Sequence, residues 1–197
     1  LSKFIPRDLL VDSNSSINID IMNFLSIDCS SNIGSLFIKN KSKTFSKILQ
    51  SDKFNNDLLM KQILDFLDKC KIKLDEISNI FVNQGPGNFS GLRGSLAVAK
   101  GISLSKNISL YGYNTFLLSC AKFFNKKENI NFFIKLNNKY FLKKFQKNLK
   151  NNIKTEEIKE DEIIEKYVNK FIVIPKIFAE YFDKKIIKLN NVNMADL

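Results

Sequence analysis

The chain of 197 residues contains no histidine and no tryptophan, and only seven glycines, three prolines and two arginines. The absence of histidine excludes Ser-His-Asp and Cys-His nucleophiles, a histidine general base and His-based zinc sites. A metal site would need carboxylates alone, and we predict none. We also discount a protease, because no nucleophile lies beside a convincing base.

Cysteine and long apolar runs are also scarce. The three cysteines, Cys29, Cys70 and Cys120, are widely spaced and form no CxxC pair. This pattern argues against a disulfide framework or a cysteine zinc site and favours a reducing compartment. No run approaches the ~18 apolar residues of a membrane span, and the start of the chain lacks the apolar core of a signal peptide. We therefore expect a cytoplasmic protein with no membrane partner.

Acidic residues are fewer than basic residues: the chain has 20 acidic and 31 basic residues and a net charge of +11. Residues 135–154 hold seven lysines and no acidic residue, and an acidic stretch follows at 156–165. One interpretation is a patch that binds RNA. The other, which we favour, is a general lysine bias on solvated surfaces.

The periodicity of the chain predicts an α/β domain with a mixed sheet. Residues 1–21 show no sustained period, and we expect an extension or arm before Met22. Residues 22–124 follow the order βββαβαβα, in which strands come first and helices then alternate with strands. Residues 125–197 predict a short, divergent lobe. Its expected elements are a hairpin through Asn137-Asn138, a strand at 171–175 and a closing helix at 175–189.

Five of the seven glycines fall in NQGPGNFSGLRGSLAVAKG, residues 83–101. This segment joins a predicted strand to a predicted helix, where anions often bind. It nevertheless fails both common phosphate motifs: GxGxxG would need glycine at Ser90, and a P-loop would need GK[ST] where Gly91-Leu92-Arg93 stands. We favour a loop shaped for close packing, with Ser90 as the helix N-cap, and phosphate binding remains the alternative.

The helix after this loop has unusually small side chains and little charge. Glycine costs about 1 kcal/mol relative to alanine inside a helix, so we expect it to permit close approach of another backbone. Arg93 is one of only two arginines in the chain, whereas 29 of the 31 basic residues are lysines. It is therefore expected to make a contact that needs a guanidinium. The small, nearly uncharged surface of the helix favours burial on two sides, as in an oligomer interface.

A second motif, SIDCSSNIGS, ends a predicted strand in an acid followed by small hydroxyls. Actin-like ATPases present their first phosphate loop in this way, with Asp28 linked to magnesium and Ser30 and Ser31 at the phosphate. The alternative is that Asp28 caps a turn.

Together, MNFLSIDCSS and GPGNFSGLRGSLAVAKG resemble the TsaB (YeaZ) family over residues 22–124. The resemblance implies an actin-like (ASKHA, ribonuclease-H-like) fold. It also implies a non-catalytic subunit of the bacterial complex that forms threonylcarbamoyladenosine in tRNA. The residues that match the family's signature loop are Gly85, Pro86, Gly87, Phe89, Ser90, Gly91, Leu92 and Arg93.

The resemblance also implies partners. These are a homologous catalytic subunit (TsaD-like), a P-loop ATPase subunit (TsaE-like) and, indirectly, tRNA, while a homodimer is an alternative for the free chain. The chain would have no cofactor of its own, although ATP or ADP with magnesium is expected at a shared interface. The rival hypothesis is an autonomous actin-like ATPase that uses Asp28 and the Gly-rich loop. The residues predicted to contact the catalytic subunit are Leu59, Ile63, Leu67, Arg93, Ala97 and Gly101.

Overall fold

The computed structural model describes residues 22–49, 56–124, 126–146, 155–189 and 191–195. The chain forms two compact units, which divide between Thr115 and Phe116. The sequence analysis places the division further along, between residues 124 and 125. The predicted arm at 1–21 lies outside the described residues.

The elements follow one another in a regular order. The strands are β1 (Phe24–Asp28), β2 (Gly34–Asn40), β3 (Lys43–Leu49), β4 (Asn79–Asn83), β5 (Ser109–Tyr113), β6 (Asn129–Leu136), β7 (Lys139–Gln146), β8 (Glu156–Ile158), β9 (Ile172–Pro175) and β10 (Val192–Ala195). The α-helices are α1 (Asn56–Lys69), α2 (Phe89–Lys106), α3 (Thr115–Cys120), α4 (Glu160–Tyr167) and α5 (Lys184–Ile187). Short 3-10 helices lie at Leu74–Glu76, Ala121–Phe123 and Lys176–Tyr181.

The first unit is built on a five-stranded mixed sheet in the order β3-β2-β1-β4-β5. Strands β1, β2 and β3 pair antiparallel, whereas β4 pairs parallel with both β1 and β5. The predicted order βββαβαβα is therefore observed from β1 to α3. The central strand β1 is buried at every residue, as expected for a strand with neighbours on both sides.

The two faces of this sheet have different side chains because neighbouring residues of a strand point in opposite directions. Leu25 and Ile27 of β1 belong to an aliphatic core with the inner faces of α1 and α2. Phe24, from the opposite face, packs edge-on against Phe81 with ring centroids 5.1 Å apart. Burial of these apolar side chains is the main force that holds the unit together.

The second unit repeats the strand order of the first. From the edge that corresponds to β3, its sheet has the order β8-β7-β6-β9-β10. Strands β6, β7 and β8 pair antiparallel, whereas β9 pairs parallel with both β6 and β10. The predicted hairpin through Asn137 and Asn138 is present, and both residues have positive φ angles of 50° and 63°. Asparagine tolerates this conformation, which the tight hairpin requires.

The C-terminal part of the second unit differs from its prediction. A closing helix was expected over 175–189, but a 3-10 helix ends at Tyr181 and α5 is a single turn from Lys184 to Ile187. The Asp183 side chain accepts a hydrogen bond from Lys185 N, so it caps a new helix instead of continuing the old one. The strand β10 was not predicted. Across the described residues, no helix is long and apolar enough to cross a membrane.

Candidate functional site

Three strands of the first unit end in polar side chains at one edge of the sheet. Asp28 ends β1, Asn83 ends β4 and Tyr113 ends β5. Because these three strands are parallel neighbours, their carboxyl ends lie side by side, which is where α/β sheets usually bind ligands. The structure therefore brings the two sequence motifs together.

Asp28 is buried, and both of its carboxylate oxygens accept hydrogen bonds from the chain itself. Oδ1 accepts from Ser30 N at 2.8 Å, and Oδ2 accepts from Asn83 Nδ2 at 2.8 Å. The Tyr113 hydroxyl also donates to Oδ2 at 3.4 Å. Burial, followed by the nearby Asp28 charge, raises the pKa of Tyr113 well above its ordinary value, so the hydroxyl stays protonated as a donor.

Asn83 and Thr115 extend these contacts into the Gly-rich loop. Besides Asp28, Asn83 Nδ2 donates to Thr115 Oγ1 at 3.1 Å, while Asn83 Oδ1 accepts from Gly85 N at 2.8 Å. The Thr115 hydroxyl donates to Pro86 O at 2.8 Å. Neither residue is predicted from the sequence to have a role at this site. The available signal was an amide at the end of the apolar strand NIFVN, where a buried polar side chain needs partners.

The glycines of the loop allow it to lie directly against the end of β1. A Cβ at Gly87 would overlap the carbonyl oxygen of Ser30, and a Cβ at Gly91 would overlap that of Cys29. Asn88 N donates to Ser30 O at 2.6 Å. Gly85 has a φ of +95°, which glycine adopts without strain. The loop is thus shaped by close packing, the interpretation favoured from the sequence.

The first turn of α2 is capped by Asn88, whose side chain accepts from Ser90 N and Gly91 N at 3.1 and 3.2 Å. Ser90 was predicted as the cap and instead lies within the first turn. The helix begins earlier because Asn88 adopts the extended conformation that a cap requires. These capped amides are not free to bind an anion.

The two serines predicted to contact a phosphate differ in the contacts of their hydroxyl groups. The Ser31 hydroxyl donates to Ile33 O at 2.5 Å and accepts from Ile33 N at 3.1 Å. Ser30 Oγ is buried without a hydrogen-bond partner. In the described part of the chain, no cluster of three or more His, Cys, Asp or Glu residues could hold a metal.

Both oxygens of Asp28 and the amides of Ser90 and Gly91 already have partners in the chain, which disfavours a magnesium-bound phosphate held by these groups. A nucleotide shared with a partner stays a prediction.

The outward face of α2 is an exposed stripe of five residues, called the docking stripe below. Phe89 and Leu104 are 72% and 85% exposed at its two ends. Arg93 and Ala97 lie exposed between them, and an added Cβ at Gly101 would have no atom of residues 22–49, 56–124, 126–146, 155–189 or 191–195 within 4 Å. The Arg93 guanidinium carbon lies 5.3 Å from the centre of the Phe89 ring, a cation–π contact. Three predicted interface residues, Arg93, Ala97 and Gly101, therefore share one open face.

The predicted contacts on α1 need a correction. Leu59, Ile63 and Leu67 are only 2%, 0% and 3% exposed, because their helical stripe faces the unit's own core. They are therefore not available to a partner. The side chains that α1 leaves exposed include Leu58 and Leu64, at 41% and 45%.

The described part of the lysine-rich segment is largely engaged by neighbours in the second unit. Lys139 and Lys144 on β7 pair with Glu157 and Glu156 on β8, at 3.0 and 3.5 Å. Lys135 Nζ donates to the Tyr140 hydroxyl at 3.1 Å. These contacts favour a solvated, charge-balanced surface over an RNA patch; residues 147–154 lie outside the described part.

Comparison with known proteins finds similarity to proteins named for threonylcarbamoyladenosine in tRNA. The family model described as TsaD, tRNA N6-adenosine threonylcarbamoyltransferase, matches residues 51–131. The tRNA threonylcarbamoyladenosine biosynthesis protein TsaB of Buchnera aphidicola subsp. Baizongia pistaciae is 34% identical over 104 residues, covering 51% of this chain and 46% of that protein. TsaB of B. aphidicola subsp. Schizaphis graminum is 27% identical over 115 residues, covering 58% and 55%. The chain thus spans about half the length of the curated relatives it matches.

Solved structures support the predicted fold class. A Pseudomonas aeruginosa protein described as similar to peptidase YeaZ has a TM-score of 0.67 at 14% identity, covering 89% of this chain and 85% of that one. YeaZ from P. aeruginosa has a TM-score of 0.56 at 16% identity, with 70% and 65% coverage. The AlfA filament from a Bacillus subtilis plasmid has a TM-score of 0.52 at 7% identity, with 89% and 92% coverage. At these identities the likeness concerns the fold alone, and the predicted actin-like α/β fold is confirmed.

Proposed function

We propose that the chain is a member of the TsaB (YeaZ) family and acts as a scaffold and activating subunit for tRNA N6-threonylcarbamoyladenosine biosynthesis. It binds a homologous, TsaD-like catalytic subunit in the cytoplasm. A TsaE-like P-loop ATPase joins the same assembly, and tRNA is contacted indirectly. The name of the relatives supports the pathway, and the open face of α2 supports a binding role.

The observation that carries this proposal is the position of Gly101. It lies inside α2, where glycine costs about 1 kcal/mol relative to alanine, yet no atom of the described residues uses the space of its missing side chain. Gly87 and Gly91, by contrast, are each needed for contact with the chain's own backbone. A glycine with no such use within the chain is explained by the close approach of a partner helix.

The rest of the docking stripe fits an interface with a small-residue centre. Phe89 and Leu104 are large apolar side chains exposed on either side of Ala97 and Gly101, and exposed aromatic and arginine side chains are typical interface anchors. The segment from 84 to 107 contains no acidic residue, and Arg93 forms no ion pair within the described part of the chain. We expect the partner to place a carboxylate opposite Arg93 and apolar side chains against Phe89 and Leu104.

The direct test is co-expression with the catalytic subunit, followed by co-purification, sizing and a tRNA modification assay. Gly101→Arg fills the open centre of the docking stripe and is expected to abolish the complex while leaving the circular dichroism spectrum unchanged. Gln146→Arg adds the same charge at an exposed residue of β7 and should leave the complex intact. Undiminished complex formation by Gly101→Arg would refute the proposal.

The autonomous ATPase remains the alternative prediction, although none of the described contacts favours it. Magnesium-dependent ATP turnover by the isolated chain, lost in Asp28→Ala, would support it. Absence of turnover, together with a complex that stays active when it carries Asp28→Ala, would remove it.

A further inference from the structure

The polar edge of the first sheet has a use that does not involve a ligand. We propose that Asp28, Asn83 and Thr115, called the polar clamp below, are positioning residues that fix the start of α2. They hold the docking stripe in its binding orientation before any partner arrives. The proposal deepens the proposed function and rests on it only where partner affinity is concerned.

The first half of the clamp acts through the turn after β1. Asp28 Oδ1 accepts from Ser30 N and so sets the direction of the peptides at residues 29 and 30. The carbonyl of Ser30 then accepts from Asn88 N, and the carbonyl of Cys29 lies against Gly91. A side chain at the end of β1 is therefore connected to the N-cap and the first turn of α2.

The second half acts through the Gly-rich loop itself. Asn83 Oδ1 accepts from Gly85 N, and the Thr115 hydroxyl donates to Pro86 O. Thr115 N also donates to Gly85 O at 2.9 Å. Because Asn83 Nδ2 donates to both Asp28 and Thr115, the two halves form one connected network on either side of the loop.

The burial of the clamp favours a specific role over simple packing. Asn83 and Thr115 are fully buried, and Asp28 is 8% exposed. Among the described residues no ion pair neutralises Asp28, so its charge depends on neutral donors alone. A fully satisfied polar network of this kind selects one arrangement of the backbone, whereas an apolar substitute would permit several.

The functional consequence is preorganisation. Phe89 and Arg93, two of the five docking-stripe residues, lie in the first two turns of α2, directly after the capped end. If these turns are already ordered in the free chain, the free energy of binding is not reduced by the entropy lost in ordering them.

The test compares variants at Thr115 by amide hydrogen exchange on the isolated full chain. Thr115→Val removes the hydroxyl at nearly constant shape, and Thr115→Ser keeps it. We expect about tenfold faster exchange at residues 88–94 in Thr115→Val, unchanged exchange in α1, and wild-type behaviour in Thr115→Ser. Unchanged exchange at 88–94, or an equal rise in α1, would overturn the positioning role.

Two further measurements separate this inference from the proposed function. The affinity for the catalytic subunit should fall about tenfold in Thr115→Val and recover in Thr115→Ser. If the wild-type chain does not bind that subunit at all, the proposed function fails while the exchange result still decides the positioning role. Adding ATP and magnesium to the isolated wild-type chain should leave exchange at 28–32 and 85–91 unchanged. Protection there would mean that these contacts give way to nucleotide, and it would overturn the proposal.

Discussion

The two units share one strand order but differ in how they use it. Each has an antiparallel trio of strands followed by two parallel strands. In the first unit the α-helices that precede β4 and β5 have 14 and 18 residues, and in the second unit the α-helices that precede β9 and β10 have 8 and 4. All seven glycines lie in the first unit and none in the second.

This difference distinguishes the structural features that the strand topology requires from those that a binding surface would require. The second unit keeps its own apolar cores, with Phe132, Phe133 and Ile134 fully buried, although its helices are short. Strand pairing and apolar burial are thus enough for this topology. Within the described part of the chain, the long small-sided helix, the Gly-rich loop and the buried polar edge occur only in the first unit, and they meet at the start of α2.

The largest expected effect tests whether the second unit has a core of its own. Phe132→Ala removes a fully buried ring that packs edge-on against Phe116, and we expect a loss of about 3–5 kcal/mol in the free energy of unfolding. Val168→Ala, at an exposed residue of the same unit, should change it by less than about 0.5 kcal/mol. Equal effects in urea denaturation would show that the second unit is not independently packed.

The next largest effect compares the change in stability when two glycines of the first unit, Gly91 and Gly101, are replaced by alanine. Gly91→Ala places a Cβ on the carbonyl oxygen of Cys29, so the loop must move, and we expect a loss of about 2–4 kcal/mol. Gly101→Ala meets open space and should stabilise the isolated chain by up to about 1 kcal/mol. Thermal and denaturant unfolding of both variants measure the difference, and a similar loss in each would contradict the assigned roles.

A smaller effect distinguishes the observed N-cap of α2 from the predicted one. Asn88→Ala removes the acceptor for Ser90 N and Gly91 N and should cost about 1 kcal/mol. Ser90→Ala, at the residue predicted from sequence, should cost much less because its side chain does not cap the helix. The reverse ranking in denaturant unfolding would restore the sequence prediction.

The smallest effect concerns the charged strands of the second unit. Glu157→Gln breaks the exposed pair with Lys139, and we expect the free energy of unfolding to change by less than about 1 kcal/mol. The change should shrink further in high salt, because exposed charges are screened. A larger, salt-independent loss would show that this pair holds β7 and β8 together.

Much of the first unit could be predicted because its signals are local. Strand alternation and the helical stripe of α1 identify the elements, and the glycines, Pro86 and Arg93 mark the loop and the helix that follows it. The same stripe led to an error in function: Leu59, Ile63 and Leu67 were assigned to a partner, although an amphipathic stripe faces the chain's own core first. The short helices of the second unit were predicted poorly, since one turn carries little periodic signal.

The sequence by itself determined the α/β class and the mixed order of elements, because apolar periodicity and the spacing of the glycines are local properties of the chain. Only the tertiary structure decided which groups meet at the sheet edge. Asp28, Asn83 and Thr115 are far apart in sequence, and parallel pairing alone brings the strand ends together. The tertiary structure also decided that Gly87 and Gly91 allow close contact with the chain's own backbone, while Gly101 faces outward. The reason is that the role of a glycine depends on which atoms lie where its Cβ would be.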